Sequence, residues 1–138
     1  MSKLSSSVTK DTIIIIFITV VFVTVFYIFY LEIIKNYKIK LSKNNFYTVK
    51  EELLKEVEKC RDEDQSWIFG NSCKQKLTTK IISNYYNKTK QLSNPYDGHE
   101  GVEGTAGSVQ INIKNNLLVL SIDIDASGGI DIEHKINY

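Results

Sequence analysis

The two cysteines carry the most specific chemistry in this sequence. Cys60 and Cys73 are the only cysteines and are separated by a short stretch of chain. They lack the Cys-x-x-Cys spacing typical of a reactive pair, which argues against redox catalysis. In an oxidising compartment they would close a small ring, which the chain-entropy model credits with roughly 3 kcal/mol of stabilisation. A structural disulfide is therefore the favoured interpretation.

Carboxylates interleaved with glycines form a second candidate site. Asp97, Glu100 and Glu103 offer oxygen ligands of the kind that calcium prefers, on a segment rich in turn residues. Solvated turn carboxylates are the ordinary alternative. Three further aspartates are expected on the outer face of the last hairpin, where Lys135 can offset their mutual repulsion. These aspartates are Asp123, Asp125 and Asp131.

The remaining reactive residue types favour no catalytic site. His99 and His134 are far apart, and neither has a second histidine or a nucleophile at a telling spacing. The sequence contains no phosphate-binding glycine loop and no nucleophile elbow. Seventeen basic residues against sixteen acidic ones leave no basic excess for nucleic-acid binding. We therefore expect no enzyme activity, small-molecule substrate or nucleic-acid partner, and no cofactor unless calcium binds.

One apolar segment dominates the first part of the chain. Thr12 to Leu31 is an uncharged apolar run, and a helix of that length reaches roughly 30 Å, the thickness of the hydrocarbon core of a bilayer. The run continues through aromatic residues without a small-x-small cleavage site, which argues against a removable signal peptide. Isoleucine, valine and phenylalanine occupy every face, which argues against a buried helix of a soluble protein. A retained transmembrane helix is expected.

The orientation of this helix receives conflicting signals. Lys3 and Lys10 flank one end, whereas four lysines follow the other end, and positive charge normally stays cytoplasmic. Charge alone would therefore place the C-terminal domain inside. The two cysteines favour an oxidising compartment instead, and we give them the greater weight.

A long helix is expected to continue beyond the membrane, because no proline or glycine lies between Thr12 and Lys59. Lys43-Asn44-Asn45 is its weakest stretch and could mark a kink or a short linker. Apolar residues then recur at spacings of three and four, which predicts one stripe that needs a packing partner. This stripe comprises Phe46, Val49, Leu53, Val57 and Cys60.

The C-terminal part predicts a helix followed by strands. Residues 74–90 have helical spacing and end before Pro95, which disfavours helical geometry in the preceding residue. The apolar period then switches to two at 109–113, 118–124 and 130–136, with His134 at an inward position. Short connections at 114–116 and 126–129 tolerate positive φ and predict antiparallel hairpins.

These elements predict an α+β fold. An N-terminal transmembrane helix continues into a long amphipathic helix, followed by a second helix and a three-stranded antiparallel sheet packed on the long helix. The expected organisation is a cytoplasmic N-terminus at 1–11, a transmembrane helix at 12–34 and a periplasmic or extracellular globular domain at 35–138.

This order of parts resembles type IV pilins and type II secretion pseudopilins. It is most similar to small pilins of marine bacteria, in which a Lys-Cys pair ends the long helix and a second cysteine follows a short loop. A helix, an Asn-Pro-Tyr turn and a glycine-led strand come next. The matching features here are Lys59-Cys60, Cys73, Ile81 to Tyr86, Asn94-Pro95-Tyr96 and Gly107-Ser108-Val109-Gln110-Ile111. The resemblance also implies calcium near the glycine-rich segment, as in related pseudopilins.

The chain departs from the family at its N-terminus. The family usually has a glycine-phenylalanine processing site and a glutamate within the apolar run. Here no glycine precedes Gly70, and no acidic residue lies between Asp11 and Glu32. The resemblance thus implies a minor structural subunit of a pilus or pseudopilus-like assembly in the bacterial inner membrane, with like subunits and assembly machinery as partners. The alternative is a membrane-anchored accessory or binding domain that does not polymerise.

Overall fold

The computed structural model describes residues 2–61 and 66–138, with side chains from residue 9 onward. The chain divides into two compact units, Met1–Asn36 and Tyr37–Tyr138. The predicted α+β layout is confirmed: a long N-terminal helix precedes a short helix and a three-stranded antiparallel sheet. The elements are α1 (Ser2–Lys59), α2 (Thr79–Asn84), a π-helical turn (Tyr85–Thr89), β1 (Val109–Lys114), β2 (Leu117–Ile122) and β3 (Ile132–Asn137).

Helix α1 runs without a break through the stretch where a linker was considered. Residues 43–45 are helical, and Asn45 is buried. Its side-chain amide donates a hydrogen bond of 2.9 Å to the carbonyl oxygen of Ser93. This tertiary hydrogen bond compensates for the low helix propensity of asparagine, because it satisfies a polar group that burial would otherwise penalise.

The predicted stripe on α1 lies in the hydrophobic core of the second unit. Phe46, Val49, Leu53 and Val57 are each no more than 5% exposed, and Cys60 is partly buried against them. They share one cluster with inward-facing residues of the sheet. The sheet residues in this cluster are Val109, Ile111, Leu118, Leu120, Ile122 and Ile136. Burial of apolar area at about 25 cal/mol per Å² makes this cluster the main source of stability for the unit.

Helix α2 is shorter than the predicted helix over 74–90. It begins only at Thr79, because Thr78 is extended and its hydroxyl accepts the N–H of Ile81 as an N-cap. The turn at Ser72–Gln75 precedes this cap, and Leu77 is buried outside the helix. Sequence periodicity alone did not reveal that start, since the apolar spacing continues upstream of the cap.

The sheet is a meander with strand order β1-β2-β3, both pairs antiparallel. Asn115 and Asn116 join β1 to β2 with φ values of 49° and 60°, as a two-residue hairpin turn of the type I′ kind requires. Inward positions alternate as predicted, and His134 lies opposite the buried Leu120. The predicted period of two therefore identifies all three strands.

The connection between β2 and β3 is longer than expected. Ile130 was predicted to point inward, but it lies outside β3 and is 68% exposed. The N–H of Asp131 donates to the carbonyl oxygen of Ile122, which closes the hairpin only after residues 123–131 have formed a loop. Asp123, Asp125 and Asp131 therefore belong to this loop and not to the outer face of the strands. Lys135 forms its ion pair with Glu133, at 3.1 Å.

Candidate functional site

The apolar segment of α1 is the most prominent exposed feature of the first unit. Within the described residues, one helix is long and apolar enough to cross a membrane. No residue in the most apolar stretch of this helix is buried. Phe17 and Phe26, for example, are 68% and 69% exposed. The hydroxyls of Thr19 and Thr24 donate to carbonyl oxygens one turn earlier, at 2.8 Å, so these polar groups are satisfied within the helix. Such a surface suits hydrocarbon better than water.

A disulfide joins Cys60, just after α1, to Cys73, with their Cα atoms 5.3 Å apart. Inside the ring, Trp67 is buried at 5% exposure and stacks on Phe69, whereas Ile68 is exposed. The backbone N–H of Ile68 donates a 2.6 Å hydrogen bond to the buried carboxylate of Glu56 on α1. The ring is thus fixed to the helix by a covalent bond, a charge-assisted hydrogen bond and an aromatic anchor.

The Asn-Pro-Tyr turn is a polar hub inside the second unit. Asn94 is 1% exposed, and its amide donates to the hydroxyl of Thr105 and to the carbonyl oxygen of Ala106. Its carbonyl oxygen accepts the N–H of Tyr96. All the polar atoms of this buried side chain therefore have hydrogen-bond partners, so asparagine at this position stabilises the turn.

Tyr96 links this turn to the β2–β3 loop. Its hydroxyl donates a 2.7 Å hydrogen bond to the carbonyl oxygen of Ile124. Partial burial, followed by the charges of Asp125 and the neighbouring loop aspartates, raises the pKa of Tyr96. Gly107 packs against the ring with a φ of +91°, and a Cβ added there would lie 2.5 Å from the Tyr96 ring. The glycine that leads into β1 thus makes room for the tyrosine.

Two of the three carboxylates predicted to bind calcium, those of Asp97 and Glu103, accept hydrogen bonds from different partners. The carboxylate of Asp97 accepts from the hydroxyl of Thr105 and the N–H of His99, and these hydrogen bonds lower its pKa. Glu103 accepts the N–H of Ile111 in β1, and Glu100 pairs its backbone with Ser93. In the parts of the chain that the structure describes, these three carboxylates do not form a group with closely spaced ligand atoms. Calcium binding by Asp97, Glu100 and Glu103 stays a prediction.

A different carboxylate group is brought together by the β2–β3 loop. Asp123, Asp125 and Asp131 each place a carboxylate oxygen within 4.8 Å of the others. Asp123 accepts the N–H groups of Ser127 and Gly128, at 3.1 and 2.5 Å, and Asp125 also accepts that of Ser127, at 3.0 Å. These hydrogen bonds curl the loop so that the three like charges converge.

The donor set of this loop fits calcium. An ionised carboxylate has about four acceptor sites, so the hydrogen bonds to the backbone leave capacity for a cation. The spacing of the loop also matches the first part of an EF-hand type calcium loop. Positions 1, 3, 5, 6 and 9 of that loop correspond to Asp123, Asp125, Ser127, Gly128 and Asp131. The twelfth position holds His134 in place of the bidentate glutamate, so affinity should fall at the weak end of the range. This spacing was the signal that the strand-based interpretation overlooked.

The two histidines lie outside this group of aspartates in the part of the chain that the structure describes. In residues 9–61 and 66–138, neither His99 nor His134 belongs to a group of three or more potential metal ligands. The structure also does not bring the two together with a cysteine thiol, since both cysteines are in the disulfide.

Comparison with known proteins yields no relative: no protein-family model, curated protein or solved structure matches the chain.

Proposed function

We propose that this protein is a non-catalytic structural subunit, anchored in a bacterial inner membrane by its N-terminal helix and belonging to a type IV pilus or type II secretion pseudopilus-like assembly. The single observation that carries the proposal is the dual use of α1. This one helix supplies both the exposed apolar segment and the buried stripe in the second unit's core. A helix used in this way ties a membrane anchor directly to a folded domain.

The disulfide supports a location for the domain outside the cytosol. Disulfides persist in oxidising compartments such as the periplasm and are rare in the reducing cytosol. The Cys60–Cys73 bridge closes the ring that carries buried Trp67, so the fold makes structural use of the oxidised form. The lysines that follow the transmembrane segment favour a cytoplasmic domain, because positive charge near a membrane span normally stays in the cytosol. We give the disulfide more weight, because it closes the ring that holds a core residue.

The N-terminal departures from the pilin pattern favour a minor or permanently anchored subunit. A chain without glycine before Gly70 offers no glycine for prepilin processing, and an apolar run without an acid lacks the buried carboxylate that pairs with a neighbouring subunit. The alternative is a monomeric accessory domain with the same anchor, and an intact N-terminus on the protein from native membranes would favour it.

Site-specific photo-crosslinking in native membranes separates these two possibilities. A photoreactive residue replaces Ile18 in the apolar segment of the full chain, and a matched one replaces exposed Lys114 at the end of β1. An assembly subunit is expected to give crosslinks to further pilin-like chains from position 18. Crosslinks to lipid alone, at protein levels that support assembly, would favour the monomeric accessory domain.

Calcium would act as a structural ligand in this function. The resemblance implies calcium near Asp97, Glu100 and Glu103, whereas the group that suits the ion by donor chemistry and spacing is Asp123, Asp125 and Asp131. When bound, calcium supplies charge neutralisation to three converging carboxylates. The side chains of the loop would then hold the β2–β3 connection, together with Tyr96, in one conformation, which suits a surface that contacts other subunits.

A further inference from the structure

The two edges of the sheet differ in how they are bonded. Strand β1 forms one edge, and the segment before it covers that edge. The N–H of Val109 donates to the carbonyl oxygen of Gly101, and the N–H of Glu103 donates to that of Val109, both at 2.8 Å. Strand β3 forms the other edge, and within the described residues β2 is the only strand paired with it. The sheet therefore has one open edge, which can accept a further strand.

The backbone hydrogen-bonding groups of β3 alternate between β2 and the open edge. Asn116 and Tyr138 continue the β2–β3 ladder as a hydrogen-bonded pair, since the N–H of Tyr138 donates to the carbonyl oxygen of Asn116, at 3.0 Å. Every second pair of an antiparallel ladder is hydrogen-bonded, so the N–H and C=O groups of His134 face β2. Those of Glu133 and Lys135 therefore point out of the sheet at the open edge.

The outward side chains at this edge carry a charge pattern that can select a partner. Glu133 and Lys135 are exposed and form an ion pair with each other, at 3.1 Å. Lysine on an edge strand normally opposes pairing with another strand. Here the two charges have opposite sign, so they oppose only a strand that places like charges opposite them. An antiparallel strand with a basic residue opposite Glu133 and an acidic residue opposite Lys135 would gain two cross-strand ion pairs.

The inner face at the same edge is apolar and incompletely covered. Ile132 packs against the core cluster but is only partly buried, and half-buried His134 separates it from buried Ile136. Residues of a fourth strand opposite Ile132 and Ile136 would lie on this face, so apolar side chains there would extend the core. The complementary sequence, read from its own N-terminus, is therefore apolar, acidic, any residue, basic, apolar.

We propose that the open edge of β3 binds an extended segment of a partner protein, which adds to the sheet as an antiparallel fourth strand. The segment would exchange backbone hydrogen bonds with Glu133 and Lys135, and its alternating side chains would supply specificity. The contact lies within the second unit alone, so it does not depend on the membrane anchor. Residues 132–136, Ile-Glu-His-Lys-Ile, themselves follow the complementary pattern, so a peptide of this sequence is a suitable probe.

Peptide binding to the full chain in mild detergent tests the proposal. The probe is a fluorescent peptide with the sequence of residues 131–137, and its fluorescence anisotropy reports binding. A swapped peptide exchanges the glutamate and the lysine of this sequence. A matched protein variant carries Glu133→Lys together with Lys135→Glu. Both exchanges leave composition and net charge unchanged, so the four combinations of protein and peptide differ only in which charges lie opposite each other.

The two matched combinations are wild type with the original peptide and the swapped variant with the swapped peptide. They should bind roughly five- to thirty-fold more tightly than the two mixed combinations, because cross-strand ion pairs replace like-charge pairs. A merely structural role of the two residues would not invert the preference for a peptide. Mixed combinations that bind as tightly as matched ones, or matched ones without binding at about 1 mM peptide, would overturn the proposal.

N-methylation of the probe tests the backbone contact. The N–H groups of the peptide's glutamate and lysine would face β3, whereas that of its histidine would face away. Methylating the glutamate nitrogen should weaken binding roughly ten-fold, and methylating the histidine nitrogen should leave it within about three-fold. Equal losses would overturn the fourth strand. Dimers of the full chain that the peptide dissociates would overturn the partner segment in favour of a second copy.

Discussion

Removing the disulfide is the perturbation whose effect follows most directly from the structure. Replacing Cys60 and Cys73 by serine opens a ring whose ends are 13 positions apart in sequence. The chain-entropy model gives about 3 kcal/mol for a ring of this size. A domain of roughly a hundred residues has a total stability of about 5–15 kcal/mol. The double variant should therefore remain folded but lose a large share of its stability, with a fall in melting temperature of roughly 12–24 °C.

Thermal unfolding of the full chain in mild detergent measures this loss. Trp67 is the only tryptophan and is buried inside the ring, so its fluorescence reports on the affected region. Far-UV circular dichroism supplies a second probe, and coincident transitions indicate that the whole unit unfolds together. As a control, wild type treated with reductant should melt like the double variant, and the double variant should not respond to reductant. A loss below about 1 kcal/mol, or a reductant response in the double variant, would refute the reasoning.

Three further predictions use matched substitutions, with melting temperature as the readout. Gly107→Ala should lower the free energy of unfolding by roughly 2–4 kcal/mol, because the residue has a positive φ and its new Cβ would clash with the Tyr96 ring. Gly70 has a similarly positive φ but open space around it, so Gly70→Ala should cost only about 1 kcal/mol. Equal losses in the two variants would contradict the clash. Tyr96→Phe should cost about 1 kcal/mol through its lost hydrogen bond. Tyr86→Phe should cost less, because its buried hydroxyl lies beside Glu52 without forming a hydrogen bond of ordinary geometry in the described residues; the reverse order would contradict these assignments. Millimolar calcium should raise the melting temperature of the wild type by a few degrees and that of Asp125→Asn by less; an equal response would exclude the β2–β3 loop as the calcium site.

Periodic features could be predicted from the sequence, because the position of a residue in the repeat decides which face of its helix or strand it occupies. The spacing of Phe46, Val49, Leu53 and Val57 predicts a buried stripe, and the structure buries all four. Alternation likewise predicts the three strands and their antiparallel order. The Asn115-Asn116 pair predicts its turn because both residues tolerate positive φ. Such local rules do not depend on the rest of the fold.

Features that depend on loop closure could not be predicted in the same way. Continued alternation through Ile124 and Ile130 suggested a short hairpin, whereas backbone N–H groups that donate to Asp123 and Asp125 form a longer loop. The contact between Gly107 and Tyr96 joins residues from different segments, so neither position alone indicates it. The carboxylates of Asp97 and Glu103 looked like a pair of ligands in the sequence, but the fold gives them separate hydrogen-bond partners and does not group them with closely spaced ligand atoms in the described residues.

The central claim is that a membrane-anchored domain lies outside the reducing cytosol with its cysteines joined. Thiol labelling of the full chain in intact bacterial spheroplasts, with a membrane-impermeant maleimide and a membrane-impermeant reductant, tests this claim most directly. We expect no labelling of Cys60 or Cys73 without the reductant and labelling of both after reduction, with the spheroplasts still intact. Free thiols that react only after the membrane is disrupted would contradict it.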